Sequence, residues 1–358
     1  MVECITDNKY ISRNNHYSNM GIRYLNRFLK DNASDAIKFI SIAELSGKKI
    51  AVDISIYMYK YASDNNLIEN MYLMLSVFRY YNVIPIFIFD GKPPAEKKEL
   101  LLKRREDKKD AEEEYNNLKN ILHNNSNMDE IEKQELMNNM DMLKRKFVHI
   151  SKKDIENVKN LIRFYGGTYY DAPGEADELC ALLAVKGKVW ACLSEDMDMF
   201  VYGCPRVVRY LSLLNHTVVM YDMKDILENL GISQKELREI CILSGTDYNS
   251  FNDELRNTPT LYTTLKYFKK YHKEKINELR NNSSKINDDE DGFYHWLIKK
   301  SAYIKDYDLL LKIYDIFDLN RNHFNIKILD NIKIVNGPIQ KKEIYNILKG
   351  DGFIFPLQ

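Results

Sequence analysis

No uninterrupted apolar run among the 358 residues approaches the roughly 20 that span a bilayer, so no membrane helix is expected. The opening stretch MVECITDNKYISRNNHYSN lacks the apolar core of a signal peptide, and a protein that stays inside the cell is the expectation. Cysteine is scarce. The five residues Cys4, Cys180, Cys192, Cys204 and Cys241 are odd in number and lack the close pairs of a zinc knuckle, which predicts free thiols rather than a disulfide framework. A charge excess of either sign is also missing: 52 Lys and Arg face 52 Asp and Glu, so only the distribution of charge can argue for a nucleic-acid partner. Glycine and proline are absent from Ala95 to Tyr165, so neither of the two strongest helix breakers stands there.

With 45% hydrophobic residues the chain can bury a core, as one large domain or two modest ones. Short apolar runs alternate with longer helical patterns over the first two-thirds, the signature of a mainly parallel sheet covered by helices, an α/β fold. Strands are predicted at Lys49–Val52, Val83–Phe89, Val189–Leu193 and Val207–Tyr210. Helical spacing appears at Met71, Leu73, Met74, Val77 and Phe78, and at Ile155, Val158, Leu161 and Ile162 after a Ser151 N-cap. The glycine-free stretch, dense in Glu, Lys and Asn, reads as two long exposed helices broken near His123 to Asn127 and standing away from the sheet. After Asp247 the chain turns mostly helical, with a polar loop at Asn281 to Asp291 and a turn at Asn336, Gly337 and Pro338.

Four apolar runs finish in an acid: KKIAVD at Asp53, IPIFIFD at Asp90, VWACLSEDMD at Asp196 and Asp198, and CILSGTD at Asp247. Ligands of open α/β sheets sit outside the carboxyl ends of the strands, so these aspartates are expected along one crevice, provided the last segment reaches that edge. Glu175 and Asp177 in DAPGEADELC open a helix, and at about 100° per residue both face one ion only from its irregular first turn. Buried ionised carboxylates need compensation, and divalent cations supply it. An all-oxygen set without His or Cys favours Mg²⁺, with Mn²⁺ able to substitute; two such ions clamp the attacking and leaving oxygens of a phosphodiester. A lone aspartate is more often a cap or a turn former. Lys97, Lys98, Lys103, Arg104, Arg105, Lys108 and Lys109 make a basic patch that reads either as a phosphate-binding face or as a solvated helix surface.

On these residues the sequence resembles the flap endonuclease family, the relatives of the xeroderma pigmentosum group G nuclease. Met20-Gly21-Ile22, AVDIS, FDGKPP, DAPGEAD, SEDMDMF and CILSGTDY are similar to the family's motifs, in the family's order, from Met20 to Tyr248. The resemblance implies a PIN-like 5′ nuclease fold with an inserted helical arch and a helical carboxyl-terminal part that holds duplex DNA. It implies Asp53, Asp90, Glu175 and Asp177 around one metal, and Asp196, Asp198 and Asp247 around a second. Lys97 and Arg104, seven apart on one helix face, are similar to the basic pair that grips the scissile phosphate. Tyr59 resembles the aromatic on which a base stacks, although a buried core tyrosine fits the same residue. Gly21, Arg105, Lys144, Arg145, Lys146, Lys269 and Lys270 complete the DNA contacts it implies. The regions that follow are a polar extension 1–19, a nuclease region 20–96, an arch 97–150, an internal nuclease region 151–250 and a helical part 251–358.

Two departures stand out. Nineteen residues precede Met20, and the glycine turn that binds potassium in the family is replaced by NSFNDELRNTPT, leaving duplex contact to Lys266, Lys269, Lys270, Lys273 and Lys275 or those lysines to an ordinary soluble face. The chain shows no sliding-clamp box after KKEIYNILKGDGFIFP. The expected activity is metal-dependent hydrolysis of DNA at 5′ flaps, nicks or junctions by a monomer, in the nucleus or a viral replication compartment. A 5′-3′ exonuclease or junction-resolving enzyme of the same superfamily is the nearest rival. A phosphatase-like hydrolase lacks its Asp-x-Asp pair here, since Ile54-Ser55 follow Asp53, and a decayed DNA-binding scaffold would have lost acids.

Overall fold

The computed structural model describes residues 22–124, 130–249, 260–281, 292–319, 329–330 and 332–354. Strands β1 Ile37–Ser41, β2 Lys49–Asp53, β3 Ile84–Phe89, β4 Thr168–Asp171, β5 Ala191–Leu193, β6 Arg206–Ser212 and β7 Thr217–Asp222 form one sheet in the order β1-β7-β6-β5-β2-β3-β4. β2 runs parallel to β3 and β5, and β3 parallel to β4, as the mainly parallel reading requires. Ile50 to Asp53 and Pro85 to Phe89 are buried throughout, which is why these strands read as continuous apolar runs. β1, β4 and β7 alternate or stay half-buried, and their sequences carry no such run.

Two compact units make up the chain. The first comprises Ile40–Ser194, Leu211–Val218 and Asn325–Gln358. Its strands are covered by helices Ile54–Ser63, Leu67–Tyr80, Lys152–Phe164 and Ala176–Val185, which present Met71, Met74, Phe78, Leu161, Ile162, Leu179 and Leu183 to the core. Ser151 caps the third of these: its Oγ accepts from Asp154 N at 3.1 Å, and Asp154 Oδ2 accepts from Ser151 N at 2.8 Å. Helices Lys98–Asn124 and Glu130–Lys146 pack on each other along a thin seam of Ala111, Met140 and Leu143, with Tyr115 edge-on to Phe147 at 5.3 Å. Residues 125–127 of the expected break lie outside the described residues. The expected turn at Asn336 and Gly337 docks in this unit: Gly337 N donates to Gly166 O at 2.7 Å, and Asn336 Nδ2 to Val83 O at 2.9 Å. Helix Lys341–Gly350 then packs on Lys152–Phe164.

The second unit comprises the described residues up to Phe39, Glu195–Tyr210 and Val219–Phe324. Helix Gln234–Ser244 is its hub, opened by a Ser233 and Glu236 capping box and packed against helices Asp198–Tyr202, Leu261–Asn281, Phe293–Lys300 and Tyr307–Phe317. Ile240, Leu243, Phe268, Phe293, Leu297 and Phe317 form the core. Among the described residues no helix is long and apolar enough to cross a membrane, and Cys180, Cys192, Cys204 and Cys241 are buried and outside any disulfide.

Candidate active site

Parallel register brings the strand ends of the first unit together. Asp53 closes β2 opposite Ile88, Asp90 follows the last residue of β3, and Ser194 follows β5, its Oγ donating to Asp53 Oδ2 at 3.1 Å. Asp53 is buried, whereas Asp90 is exposed and its Oδ1 accepts the N–H of Ala176 at 2.9 Å. A carboxylate at the first turn of helix Ala176–Val185 also meets the positive end of the helix dipole. Glu175 is the extended N-cap residue, at φ −80° and ψ 149°, and Asp177 lies inside the first turn, as the two-residue spacing demands. Gly91 locks the junction: its N–H donates to Gly174 O at 2.7 Å, and a Cβ added there would run into the carbonyl oxygen of Ala172.

Lys97 stands in a short 3₁₀ turn, Ala95–Lys97, one residue before the long helix rather than on its face. It is only 5% exposed, and its ammonium lies 2.7 Å from Glu175 Oε2 and 2.9 Å from Oε1. A buried lysine is rare unless paired, so the solvated-face reading fails for this residue. Arg104 is half-buried, while Lys103 and Arg105 are exposed. Tyr59 on helix Ile54–Ser63 is 43% exposed and therefore no core tyrosine; the Lys108 ammonium lies 4.9 Å from its ring centroid. Burial, then the charge of Asp90, raises the Tyr59 phenol above its ordinary pKa. Burial, then Arg104, lowers that of Lys108. Nothing in the sequence singled out Lys108 within its basic run, or Ser194 as the partner of Asp53. Lys144 is half-buried and Arg145 and Lys146 are exposed in the last turn of Glu130–Lys146.

In the second unit, Asp198 opens helix Asp198–Tyr202, 1% exposed, and its N–H donates to Asp196 Oδ1 at 2.9 Å. Buried Arg209 holds the segment that carries them: Nη2 donates to Glu195 O at 2.9 Å, Nε lies 3.5 Å from Glu195 Oε2, and Tyr210 N donates to Glu195 Oε1 at 2.7 Å. Asp247 does not end a strand. CILS is the last turn of helix Gln234–Ser244, because Ser233 and Glu236 cap a helical run that buries Leu237, Ile240, Cys241 and Leu243; three apolar residues alone cannot tell strand from helix. Asp247 is buried in the following turn, which Asn249 closes by accepting from Thr246 N at 2.6 Å. Asp177, Asp196 and Asp198 are buried carboxylates, each able to offer one oxygen to a metal ion. Lys269 and Lys270 are exposed on helix Leu261–Asn281, and Gly21 lies outside the described residues.

Residues 20–111 match the XPG N-terminal domain and residues 166–247 the XPG I-region. Both matched regions are domains of the XPG family, the N-terminal one preceding the I-region. It is 31% identical to flap endonuclease 1 of Xenopus tropicalis over 247 residues, 64% of this chain and 61% of that protein. Against flap endonuclease 1 of Cryptosporidium parvum it is 28% identical over 287 residues, 71% of this chain and 54% of that protein. The chain thus spans about three-fifths of the length of the curated relative it matches at 31% identity. Its fold is shared with the catalytic core of Rad2 in complex with DNA substrate, at a TM-score of 0.59 and 20% identity over 90% of this chain and 94% of that one. Human GEN1 in complex with Holliday junction DNA has the same fold, at a TM-score of 0.57 and 18% identity over 93% and 73% of the two chains.

Proposed function

We propose that this chain is a divalent-metal-dependent, structure-specific 5′ nuclease of the XPG family that hydrolyses DNA phosphodiesters where a 5′ flap meets duplex. The observation that carries this reading is the sheet edge at which Asp53, Asp90 and Ser194 meet, with Lys97 beside Glu175. The donor set fits a hard cation: carboxylate oxygens, several of them buried, with neither His nor Cys offered. Asp53, Asp90, Glu175 and Asp177 would hold one Mg²⁺, and Asp196, Asp198 and Asp247 a second. When bound, the ions supply a nucleophile at neutral pH and offset charge on the leaving oxygen.

The remaining steps fall to the chain's own side chains. The Lys97 ammonium neutralises Glu175 and stabilises the charge that develops on the scissile phosphate, a role it shares with Arg104. Tyr59 offers a ring face to the base at the cleavage site once Lys108 leaves it. Lys144, Arg145 and Lys146 steer the single strand past the paired helices, with Arg105 on the facing helix. Lys269 and Lys270 contact duplex phosphates, and Gly21 lets the backbone come close to the DNA. A monomer acting on flaps, nicks and junctions in replication, repair or recombination, in the nucleus or a viral replication compartment, is the setting this reading implies. The curated relatives of the same family are named flap endonuclease 1 at 31% identity, which supports the flap among these substrates. The test is a panel of flap, nicked, gapped, blunt and four-way DNA with Mg²⁺. Preferred release of the flap supports the reading; exclusive stepwise release from blunt ends or symmetric cuts in four-way DNA replaces it with the exonuclease or resolvase.

A further inference from the structure

Tyr24 adopts φ 65° and ψ −2°, the left-handed backbone region in which an aromatic side chain crowds the following carbonyl and only glycine is at ease. Core packing does not impose that conformation, because the ring is 57% exposed. It meets Tyr262, itself 45% exposed, at 5.8 Å between centroids and an interplanar angle of 46°. Two large rings held together in solvent, one of them on a strained backbone, mark a surface kept for a partner.

The helix under Tyr262 says which partner. Leu261, Thr264, Phe268 and Tyr271 form the buried face of Leu261–Asn281. Tyr262, Lys266, Lys269 and Lys273 recur at helical spacing on the opposite face, and all four are exposed. At 1.5 Å per residue the stripe runs about 16 Å, roughly five base steps along a DNA strand. Arg23 and Arg27 add exposed cations beside Tyr24. An aromatic pair at the head of a straight row of lysines matches a ridge that alternates apolar deoxyribose with phosphate, and the charge complements a polyanion rather than an acidic protein of irregular outline.

We infer that Tyr24 and Tyr262 form a seat for the sugar-phosphate ridge of duplex DNA, with Lys266, Lys269 and Lys273 following the phosphates away from it. The inference rests on the reading of the chain as a DNA nuclease, and it adds a contact that does not depend on counterion release. The two kinds of contact separate by salt. In the full chain held in EDTA, Tyr262→Ala is expected to weaken duplex and flap binding about tenfold, the worth of roughly 60 Å² of apolar surface removed from water, with the slope of log affinity against log salt unchanged. Lys269→Ala is expected to reduce that slope by about one.

Tyr24→Gly guards against a mere folding defect, since glycine adopts the same backbone freely and the melting temperature should hold or rise while duplex affinity falls. Wild-type duplex affinity in both tyrosine variants would overturn the inference, as would an equal loss for single-stranded DNA. If the unaltered chain cleaves flaps while the tyrosine variants bind normally, the seat alone is refuted; if the unaltered chain neither binds nor cleaves DNA, the nuclease reading falls and the seat with it.

Discussion

The Lys97 ammonium stands 2.7 Å from Glu175 Oε2, across 78 positions of sequence, with the lysine only 5% exposed. The pair joins the entry of the long helix to the N-cap of helix Ala176–Val185, and so couples the site's positive charge to its negative set. Lys97→Ala leaves a largely buried carboxylate without that partner. Melting in EDTA should fall, by about 1–3 kcal/mol, and Mg²⁺ should restore part of the loss by supplying the missing charge. Single-turnover cleavage should slow by about a hundredfold. Equal melting in EDTA together with an unchanged rate would return Lys97 to a spectator.

Asp196 accepts the N–H of Asp198, so its substitution touches both the proposed metal set and the turn. Asp196→Asn keeps an acceptor oxygen but not the charge. Hydrolysis should disappear while flap affinity, measured by fluorescence anisotropy, stays within about threefold, because phosphate contacts by Lys and Arg persist. Wild-type cleavage would remove Asp196 from the site.

Gly91 has no room for a side chain, since a Cβ would meet the Ala172 carbonyl. Gly91→Ala should push the segment that follows Asp90 away from Ala172 to Gly174 and weaken the Asp90 contact with Ala176 N. Activity should drop more than tenfold with a destabilisation of about 1–3 kcal/mol. Normal melting and turnover would mean the junction yields more easily than its packing implies.

Glu239 is buried on the hub helix, and burial, ahead of Lys235 and the other neighbouring charges, raises its pKa from 4.5 to about 7. The folded chain therefore holds this proton more tightly than the unfolded chain between those values. The cost of ionising Glu239 in the fold is absent below about pH 4.5 and complete above about pH 7, so its contribution to stability falls as pH rises through that window. Glu239→Gln should melt higher than the natural chain at pH 8, by on the order of 1–3 kcal/mol, and the gap should close toward pH 5. A gap independent of pH would contradict the assignment.

How much of this was legible beforehand depended on the range of the interaction. β2, β3 and β5 could be read because parallel strands buried on both faces leave unbroken apolar runs ending in polar residues. The Ser151 cap was legible because its partner is three residues away. β4 was not, since TYYD is only half-buried and carries no apolar signal. Asp247 was misplaced at a strand end because a short apolar run lacks a period. The burial of Lys97, the Lys108 cover on Tyr59 and the left-handed backbone of Tyr24 all arise from contacts distant in sequence or from backbone geometry, which no local pattern encodes.

The most direct test of the central claim is cleavage of a 5′-labelled flap substrate by the full chain, with Mg²⁺ and with EDTA, beside the Asp53→Asn variant. Release of the single-stranded flap close to the junction, abolished by EDTA and by Asp53→Asn, is the expected result. An intact flap in Mg²⁺, or cleavage that survives both chelation and the loss of Asp53, would contradict it.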